Sequence, residues 1–241
     1  EERTWIEIQN DSVKFHNADD LWGMKTTRTQ EALDEKFRMK NGRVRKNGKI
    51  CIGPAGENMV LYSSIVSNDR VSGRGGTGAV MGWMRLKAVC VSGTKEIPIY
   101  DKKKMVAHTK KWFKYLRKHP LTGDQLPRLG TAGLVSSMQM KGMLSTKNYS
   151  RGQYEDFEKV SGEVLAEKYN IVNKGCLTCP IRCARTVEVE GRPVKGPELE
   201  TLVLLGGGIL NNDLEAVLKW NYELDELGMD TISAANTLSY A

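Results

Sequence analysis

The chain has 241 residues, 40% of them apolar and 27% charged, which is typical of a globular protein with a sizeable core. No run of 18 or more apolar residues occurs, so no membrane span is predicted, and the first residues do not resemble a signal peptide. The formal charge of +7 comes largely from residues 102–104 and 110–118 and is most simply a solvated helix face. Docking of an acidic electron carrier and phosphate binding are alternatives. Nucleic-acid binding is not predicted, because no aromatic-interleaved basic motif is present.

The first part of the chain has the alternating pattern of a β-rich region. Asn10-Asp11 predicts a hairpin turn between the first two strands, and a short helix is expected from Thr27 to Phe37. The predicted strands cover residues 4–9, 12–16, 49–52 and 86–91.

A glycine-rich segment follows, which we call the glycine–arginine loop (Gly73–Ala79). It satisfies the dinucleotide fingerprint G-x-G-x-x-G, but residues 67–70 before it are turn-like and no acid follows the next strand, so a Rossmann unit is not indicated. Backbone N–H groups, the Arg74 guanidinium and a helix beginning at Ala79 instead predict a site for a phosphate-bearing cofactor. The alternative is a tight glycine turn with Arg74 on the surface.

From Asp101 the pattern becomes helical, and the fold class predicted for the whole chain is α+β. In the first helix, Met105, Trp112, Phe113 and Leu116 form one apolar stripe. A later helix is expected to begin with Pro197 at its first position. Further helices are predicted over residues 133–143 and 157–169, and over a segment that Asn212 or Asp213 caps and Gly228 ends.

Three of the five cysteines form the cysteine turn (Cys176–Cys183), in which Cys176, Cys179 and Cys183 have the spacing C-x2-C-x3-C. A disulfide framework would leave one cysteine over, whereas clustered thiolates suit an iron–sulfur cluster or zinc and suit magnesium or calcium poorly. Either site wants a fourth ligand, which would be Cys51 or Cys90 or would lie outside the given sequence. Cys51 and Cys90 lie in apolar, strand-like segments and are predicted to be core residues. The clustering, without secretory features, favours a reducing, cytoplasmic setting.

Two pairs of carboxylates are candidate site residues. Glu198 and Glu200 fall in the first turns of a helix, where negative charge is favourable by itself, and their spacing lets only one of them face a site. Asp225 and Asp230 bracket a helix end in what we call the aspartate turn (Asp225–Asp230). Carboxylates there oppose the helix dipole, so a compensating partner and a polar binding site are expected.

Taken together and in this order, these motifs resemble the aldehyde:ferredoxin oxidoreductase family. They are the glycine–proline motif (Gly53–Asn58), the glycine–arginine loop, the cysteine turn, Gly-Pro-Glu-x-Glu200 and Asp225-x-x-Gly-x-Asp230. The resemblance implies a tungsten, or sometimes molybdenum, bis-pyranopterin cofactor beside one [4Fe–4S] cluster. It also implies oxidation of aldehydes to carboxylates, with electrons passed to ferredoxin or a partner subunit.

The resemblance also implies roles for individual residues. Cys176, Cys179 and Cys183 would hold cluster irons, and Glu200, with Glu198 as the second choice, would handle protons near the metal. The residues expected along the pterin phosphates, where Mg²⁺ would bridge, are Arg74, Gly75, Gly76, Gly78 and Ala79. Those expected to bind one pterin are Asp225, Gly228, Met229 and Asp230.

The family's fourth cluster cysteine, in a second turn of this kind, and its active-site histidine are not found, so the sequence is expected to be an internal fragment. Residues 1–97 would be the C-terminal part of a β-rich pterin-binding domain, and residues 98–241 a helical domain with the cluster cysteines and the aspartate turn. An aromatic acyl-CoA reductase-type subunit of the same family, with an acyl-CoA substrate, is one alternative. The other is a zinc-binding interaction module without catalysis. A homodimer is left open.

Overall fold

The structure of the chain is a computed structural model that describes residues 2–37 and 47–241. Two units can be distinguished: Glu1–Glu96 with Glu223–Ala234, and Ile97–Tyr222 with Ala235–Ala241. The aspartate turn therefore lies in the first unit and the cysteine turn in the second. The predicted boundary between residues 97 and 98, as a domain assignment, stays a prediction.

A six-stranded mixed sheet organises the first unit, in the order β2-β1-β6-β3-β4-β5. Its strands are β1 (Thr4–Gln9), β2 (Ser12–Asn17), β3 (Gly48–Cys51), β4 (Ile65–Ser67), β5 (Arg70–Ser72) and β6 (Leu86–Ser92). Its helices are α1 (Thr26–Lys36), α2 (Pro54–Glu57) and α3 (Thr77–Trp83). Only the pair β1–β6 is parallel among the described strands, with Trp5 opposite Ala88. The predicted hairpin is confirmed: β1 and β2 pair antiparallel, from Thr4 opposite Asn17 to Gln9 opposite Ser12.

The core of this unit lies between the sheet and α1, because inward residues of alternating strands meet the apolar side of that helix. Cys51 and Cys90 are fully buried there, as predicted. The buried cluster consists of Trp5, Ala18, Leu21, Leu33, Phe37, Cys51, Val66, Ala88 and Cys90.

The second unit is mainly helical, which together with the sheet of the first unit confirms the predicted α+β class. Its helices are α4 (Lys102–Lys118), α5 (Leu126–Leu129), α6 (Val135–Met140), α7 (Gly162–Lys168) and α8 (Leu199–Leu205). An antiparallel sheet joins β7 (Val172–Lys174), β8 (Ala184–Val189) and β9 (Arg192–Lys195) in that order. The last two helices, α9 (Leu214–Leu227) and α10 (Thr231–Tyr240), have residues in both units. None of the helices in the described ranges has both the length and the apolar character needed to cross a membrane.

One helix prediction needs correction, and one helix has an apolar stripe that is not covered. Helix α4 carries the predicted apolar stripe but has no buried residue, and Met105 and Trp112 are 54% and 63% exposed. Amphipathic spacing indicates which side of a helix is apolar, not whether another element covers it. Pro197 is not the first residue of its helix, because α8 begins at Leu199 with Glu198 as its N-cap. The predicted cap of α9 is confirmed, because Asp213 Oδ1 accepts hydrogen bonds from the N–H groups of Glu215 and Ala216.

Candidate functional site

The glycine–arginine loop takes a conformation that depends on its glycines. Gly75 and Gly76 have positive φ values of 103° and 68°, and a Cβ at Gly76 would lie 2.5 Å from the carbonyl oxygen of Leu61. A side chain at Gly76 would therefore be strained in backbone and in space. The loop lies against the segment before it and leaves the Arg74 side chain exposed.

Some backbone N–H groups of the loop have a hydrogen-bond acceptor, and others, which we call open, have none. The N–H of Gly78 donates to Ser63 O at 3.1 Å, and that of Ala79 donates to Gly76 O at 3.1 Å. The N–H groups of Gly75 and Gly76 have no acceptor among the described residues. Helix α3 begins at Thr77, not at Ala79, and has only seven residues. The open donors thus precede the helix.

In the aspartate turn, Asp230 has a role that the sequence did not predict. Its Oδ2 accepts hydrogen bonds from Ser233 N at 2.9 Å and from Ser233 Oγ at 2.6 Å, so it caps α10. The expectation that Asp230 opposes a helix dipole is therefore incomplete, because the positive N-terminus of α10 favours this carboxylate. The carbonyl oxygen of Asp225 accepts a hydrogen bond from Thr26 Oγ1 at 2.9 Å.

The glycine–arginine loop and the aspartate turn meet in the first unit, although they are far apart in the sequence. Arg74 Nε lies 3.8 Å from Asp230 Oδ2, and a Cβ on Gly73 would be 3.2 Å from Asp230 Oδ1. Backbone hydrogen bonds hold the turn to residues 62–64: Asp230 N donates to Tyr62 O at 2.9 Å, and Ser64 N donates to Gly228 O at 2.8 Å. An exposed guanidinium, two open N–H groups and a buried carboxylate thus lie in one region.

Ser63 is a residue of this region that the sequence analysis missed. It is fully buried and forms a β-bridge with Met229, and its Oγ has no hydrogen-bond partner among the described residues. Since buried hydroxyls are normally hydrogen-bonded, an unpartnered one here is consistent with a further polar group at this place. No motif in Tyr62-Ser63-Ser64 signals this position.

The glycine–proline motif supplies a buried ion pair next to the aspartate turn. Lys87 Nζ contacts the Glu57 carboxylate and donates to Met24 O at 2.9 Å, while Glu57 accepts a hydrogen bond from Gly23 N at 2.8 Å. Burial lowers the pKa of Lys87, and the hydrogen bond and charge of Glu57 oppose that shift. A Cβ on Gly53 would overlap the backbone of residues 227–228, so this motif fits closely against the turn.

The cysteine turn leaves its thiols accessible. Cys176 is exposed, whereas Cys179 and Cys183 are partly buried, and Cys179 N donates to Cys176 O at 3.0 Å. All five cysteines lie in the described ranges and none is in a disulfide. Among those residues no three Cys, His, Asp or Glu side chains converge on a single ion position. Three thiols at this spacing are donors for an iron–sulfur cluster or for zinc.

Arg185 lies two residues after the last of these cysteines and was also missed. Its side chain is only 4% exposed, Nη2 donates to Cys183 O at 3.0 Å, and Nη1 has no partner among the described residues. Burial lowers the pKa of Arg185, while the charges of Glu198 and Cys183 act in the opposite direction. A signal was present: in β8, Arg185 is in phase with the buried Val187 and Val189, so its charge had to point inward.

The two candidate glutamates have different surroundings. Glu198 is half-buried, and its Oε2 accepts a hydrogen bond from Thr131 Oγ1 at 2.5 Å. The same Thr131 oxygen accepts from Leu199 N at 3.0 Å. The Glu200 side chain is exposed, and no hydrogen bond or ion pair holds it within the described residues. Glu198 is thus held in place, and Glu200 is available for another role.

Family models match most of the chain. The model described as "Aldehyde ferredoxin oxidoreductase, N-terminal domain" matches residues 1–93. The model described as "Aldehyde ferredoxin oxidoreductase, domains 2 & 3" matches residues 107–241.

Individual relatives agree with these matches. The tungsten-containing aldehyde ferredoxin oxidoreductases of Thermococcus kodakarensis and Pyrococcus furiosus are each 37% identical over 243 residues, covering 100% of this chain. The chain spans 39% of the length of these relatives. A solved structure of the active site complex BamBC of benzoyl coenzyme A reductase, in complex with 1,5-dienoyl-CoA, is similar with a TM-score of 0.79. It is 26% identical, and the likeness covers 99% of this chain and 37% of that one.

Proposed function

The chain belongs to the aldehyde ferredoxin oxidoreductase family, and from this membership we propose that the protein oxidises aldehydes to carboxylates with a tungsten–pterin cofactor and an iron–sulfur cluster. The observation that carries the proposal is the meeting of the glycine–arginine loop with the aspartate turn, where Arg74 lies 3.8 Å from Asp230. Two family motifs that are distant in sequence thereby form one polar region in the first unit.

The residues of this region fit a phosphate-bearing pterin. The open N–H groups of Gly75 and Gly76 and the Arg74 guanidinium are donors for phosphate oxygens, with Gly78 and Ala79 completing the loop. In the aspartate turn, Asp225 and Asp230 would accept hydrogen bonds from pterin N–H groups, beside the backbone of Gly228 and Met229. The proposal includes a Mg²⁺ ion, which would offset the negative charge of the phosphates.

The cysteine turn fits a [4Fe–4S] cluster held by Cys176, Cys179 and Cys183. A cubane cluster takes each thiolate on a different iron, whereas zinc needs its ligands at about 2.3 Å from a single ion. Membership of this family, rather than the arrangement of the thiols alone, favours the cluster over a zinc module. Electrons would leave through this cluster to ferredoxin or an electron-transfer subunit. A homodimer and a cytoplasmic setting stay predictions.

When bound, the tungsten–pterin group supplies two-electron redox chemistry and the cluster supplies one-electron transfer. The contribution of this chain is binding, orientation and proton handling. The Glu200 carboxylate is the group we propose for accepting the proton released on aldehyde oxidation, because it is exposed and uncommitted. Glu198 is the second choice, since Thr131 already holds its carboxylate.

The likeness to the BamBC structure supports a second candidate function, reduction of an aromatic acyl-CoA on the same cofactor. The two functions differ in their substrate and in the direction of electron flow. Aldehyde-dependent reduction of a viologen dye would support the oxidase. Acyl-CoA-dependent oxidation of the reduced dye would support the reductase.

The test begins with anaerobic purification of the intact protein and measurement of tungsten, molybdenum, iron and zinc. About one tungsten or molybdenum with about four irons per chain is expected for this cofactor pair. Zinc without tungsten, molybdenum or iron would overturn the redox proposal. The variant C179S should lose the iron, while C90A, which removes a buried thiol of the first unit, should keep it. Full iron content in C179S would remove the cluster assignment.

A further inference from the structure

Arg185 is a buried cation whose surroundings do not balance its charge. The side chain is 96% buried, and its only hydrogen bond in the described residues is from Nη2 to the carbonyl oxygen of Cys183. Nη1 is buried without a partner there. A neutral carbonyl compensates a buried charge poorly, and a buried donor without a partner adds its own desolvation penalty.

The structure around Arg185 is built to keep the guanidinium in this place. A Cβ on Gly130 would overlap the guanidinium, and Gly130 has a positive φ of 63° that disfavours other residues. On another side, a Cβ on Gly196 would lie 2.8 Å from Cγ of Arg185. Two glycines thus leave room for one cation, which argues against an accidental burial.

An acidic side chain does not complete the site. Glu198 is the carboxylate whose charge acts on Arg185, but it forms no ion pair with it, and its Oε2 is engaged by Thr131. Cys183 contacts the guanidinium through its carbonyl oxygen, and the thiols of its turn would be thiolates when they bind a cluster. A cubane cluster with four thiolate ligands is an anion, and one-electron reduction adds another negative charge.

We propose that Arg185 is the buried counter-charge of the cluster held by Cys176, Cys179 and Cys183, and that it raises the cluster's reduction potential. The inference rests on the proposed function for the presence of that cluster. One electron is added to the iron–sulfur core on reduction, and no bond forms or breaks. A fixed positive charge stabilises the more negative, reduced form, and burial keeps solvent and salt from screening the interaction.

Arg182 provides a matched comparison within the same turn. It lies between Cys179 and Cys183, but its side chain is exposed and Nη2 donates to Asn173 O at 2.7 Å. Its charge is therefore screened by solvent. If proximity in sequence were sufficient, both arginines would affect the cluster, whereas a role for the buried charge predicts an effect of Arg185 alone.

The experiment is a potentiometric titration of the intact protein, with the reduced cluster followed by electron paramagnetic resonance. In R185Q the midpoint potential of the cluster should fall. At the wild-type midpoint potential, the ratio of oxidised to reduced cluster should rise about tenfold, which corresponds to a 59 mV decrease for a one-electron couple. R185K keeps the charge and should shift the ratio less than R185Q. R182Q should leave the ratio within about twofold of the wild type.

Each outcome decides the inference. An unchanged midpoint in R185Q, with full iron content, overturns the role of Arg185 and leaves the proposed function intact. Loss of the cluster from R185Q but not from R185K supports the role, because charge would then be what matters. Loss from both folded variants overturns it, since a role that lysine cannot fill is one of shape. A wild-type protein without a cluster overturns the inference together with the cluster assignment.

Discussion

Lys87 in the first unit and Arg185 in the second are both buried cations, yet their surroundings differ. Lys87 contacts the Glu57 carboxylate and the Met24 carbonyl oxygen, and Glu57 receives a further hydrogen bond from Gly23. Arg185 has one carbonyl acceptor, and its Nη1 has no partner among the described residues. The first charge is balanced by the chain itself. The second is not, and the proposed cluster would balance it.

This difference distinguishes a paired buried charge, which supports the fold, from an unpaired one, which would interact with a bound group. A paired buried charge is costly to disturb because removing one partner leaves the other uncompensated. An unbalanced buried charge already carries that cost, which a bound anion would remove. Loss of Arg185 should therefore affect the cluster more than the fold, whereas loss of Glu57 should affect the fold first.

The largest expected effect tests the balanced pair. E57Q leaves the Lys87 ammonium buried without a counter-charge and should lower the free energy of unfolding by about 3–5 kcal/mol. Chemical denaturation of the intact protein, followed by circular dichroism, measures this change.

The matched control is E223Q, which breaks the exposed ion pair between Lys25 and Glu223. Because solvent screens that pair, its loss should cost at most about 1 kcal/mol. Equal effects of E57Q and E223Q would mean that the buried pair contributes no more than a surface one, and the contrast with Arg185 would lose its basis.

A smaller effect concerns the buried thiols of the same core. Burial raises the pKa of Cys51 and that of Cys90 from 9.0 to about 12 in each case. The folded protein therefore retains protons that the unfolded chain releases above pH 9. Stability should be unaffected by these groups below pH 9 and should fall between pH 9 and 12, by at most about 1.4 kcal/mol per pH unit for each thiol.

Unfolding measured from pH 8 to pH 10.5 in the wild type and in C51A isolates this contribution. The alkaline slope should be shallower in C51A, because one of the two titrating groups is gone. A slope identical in both proteins would show that the Cys51 thiol is not sealed from solvent in the folded state.

The smallest stability effect is expected at Asp230, where binding and folding functions can be separated. D230A removes the cap of α10 and should cost about 1 kcal/mol. D230N keeps a side-chain oxygen able to cap and should preserve stability, but it loses the charge beside Arg74. Both variants should retain less tungsten or molybdenum than the wild type, as measured by elemental analysis.

A D230N protein with unchanged tungsten or molybdenum would show that the carboxylate charge does not contribute to cofactor binding. In that case Asp230 would be a helix cap only. Unchanged iron content in both variants is the internal control, because the cysteine turn lies in the other unit.

Features that depend on neighbouring residues in the sequence were predictable. The alternation in residues 4–9 and 12–16 gave the hairpin, and the capping of α9 by Asp213 followed from residue type and position. Features that depend on distant partners were not. Neither the proximity of Arg74 to Asp230 nor the exposure of α4 follows from a local period, since both depend on which elements meet in the folded chain. Arg185 is intermediate, because its phase in β8 signalled burial but not the absence of a counter-charge.

The capping bond of Asp230 has a consequence for the cost of binding. Because Ser233 already fixes the Asp230 carboxylate in the folded chain, the rotamer freedom of that side chain is lost during folding and need not be lost again when a ligand arrives. The conformational entropy of this side chain is thus lost when α10 forms. A ligand at the aspartate turn would meet an acceptor that is oriented in advance.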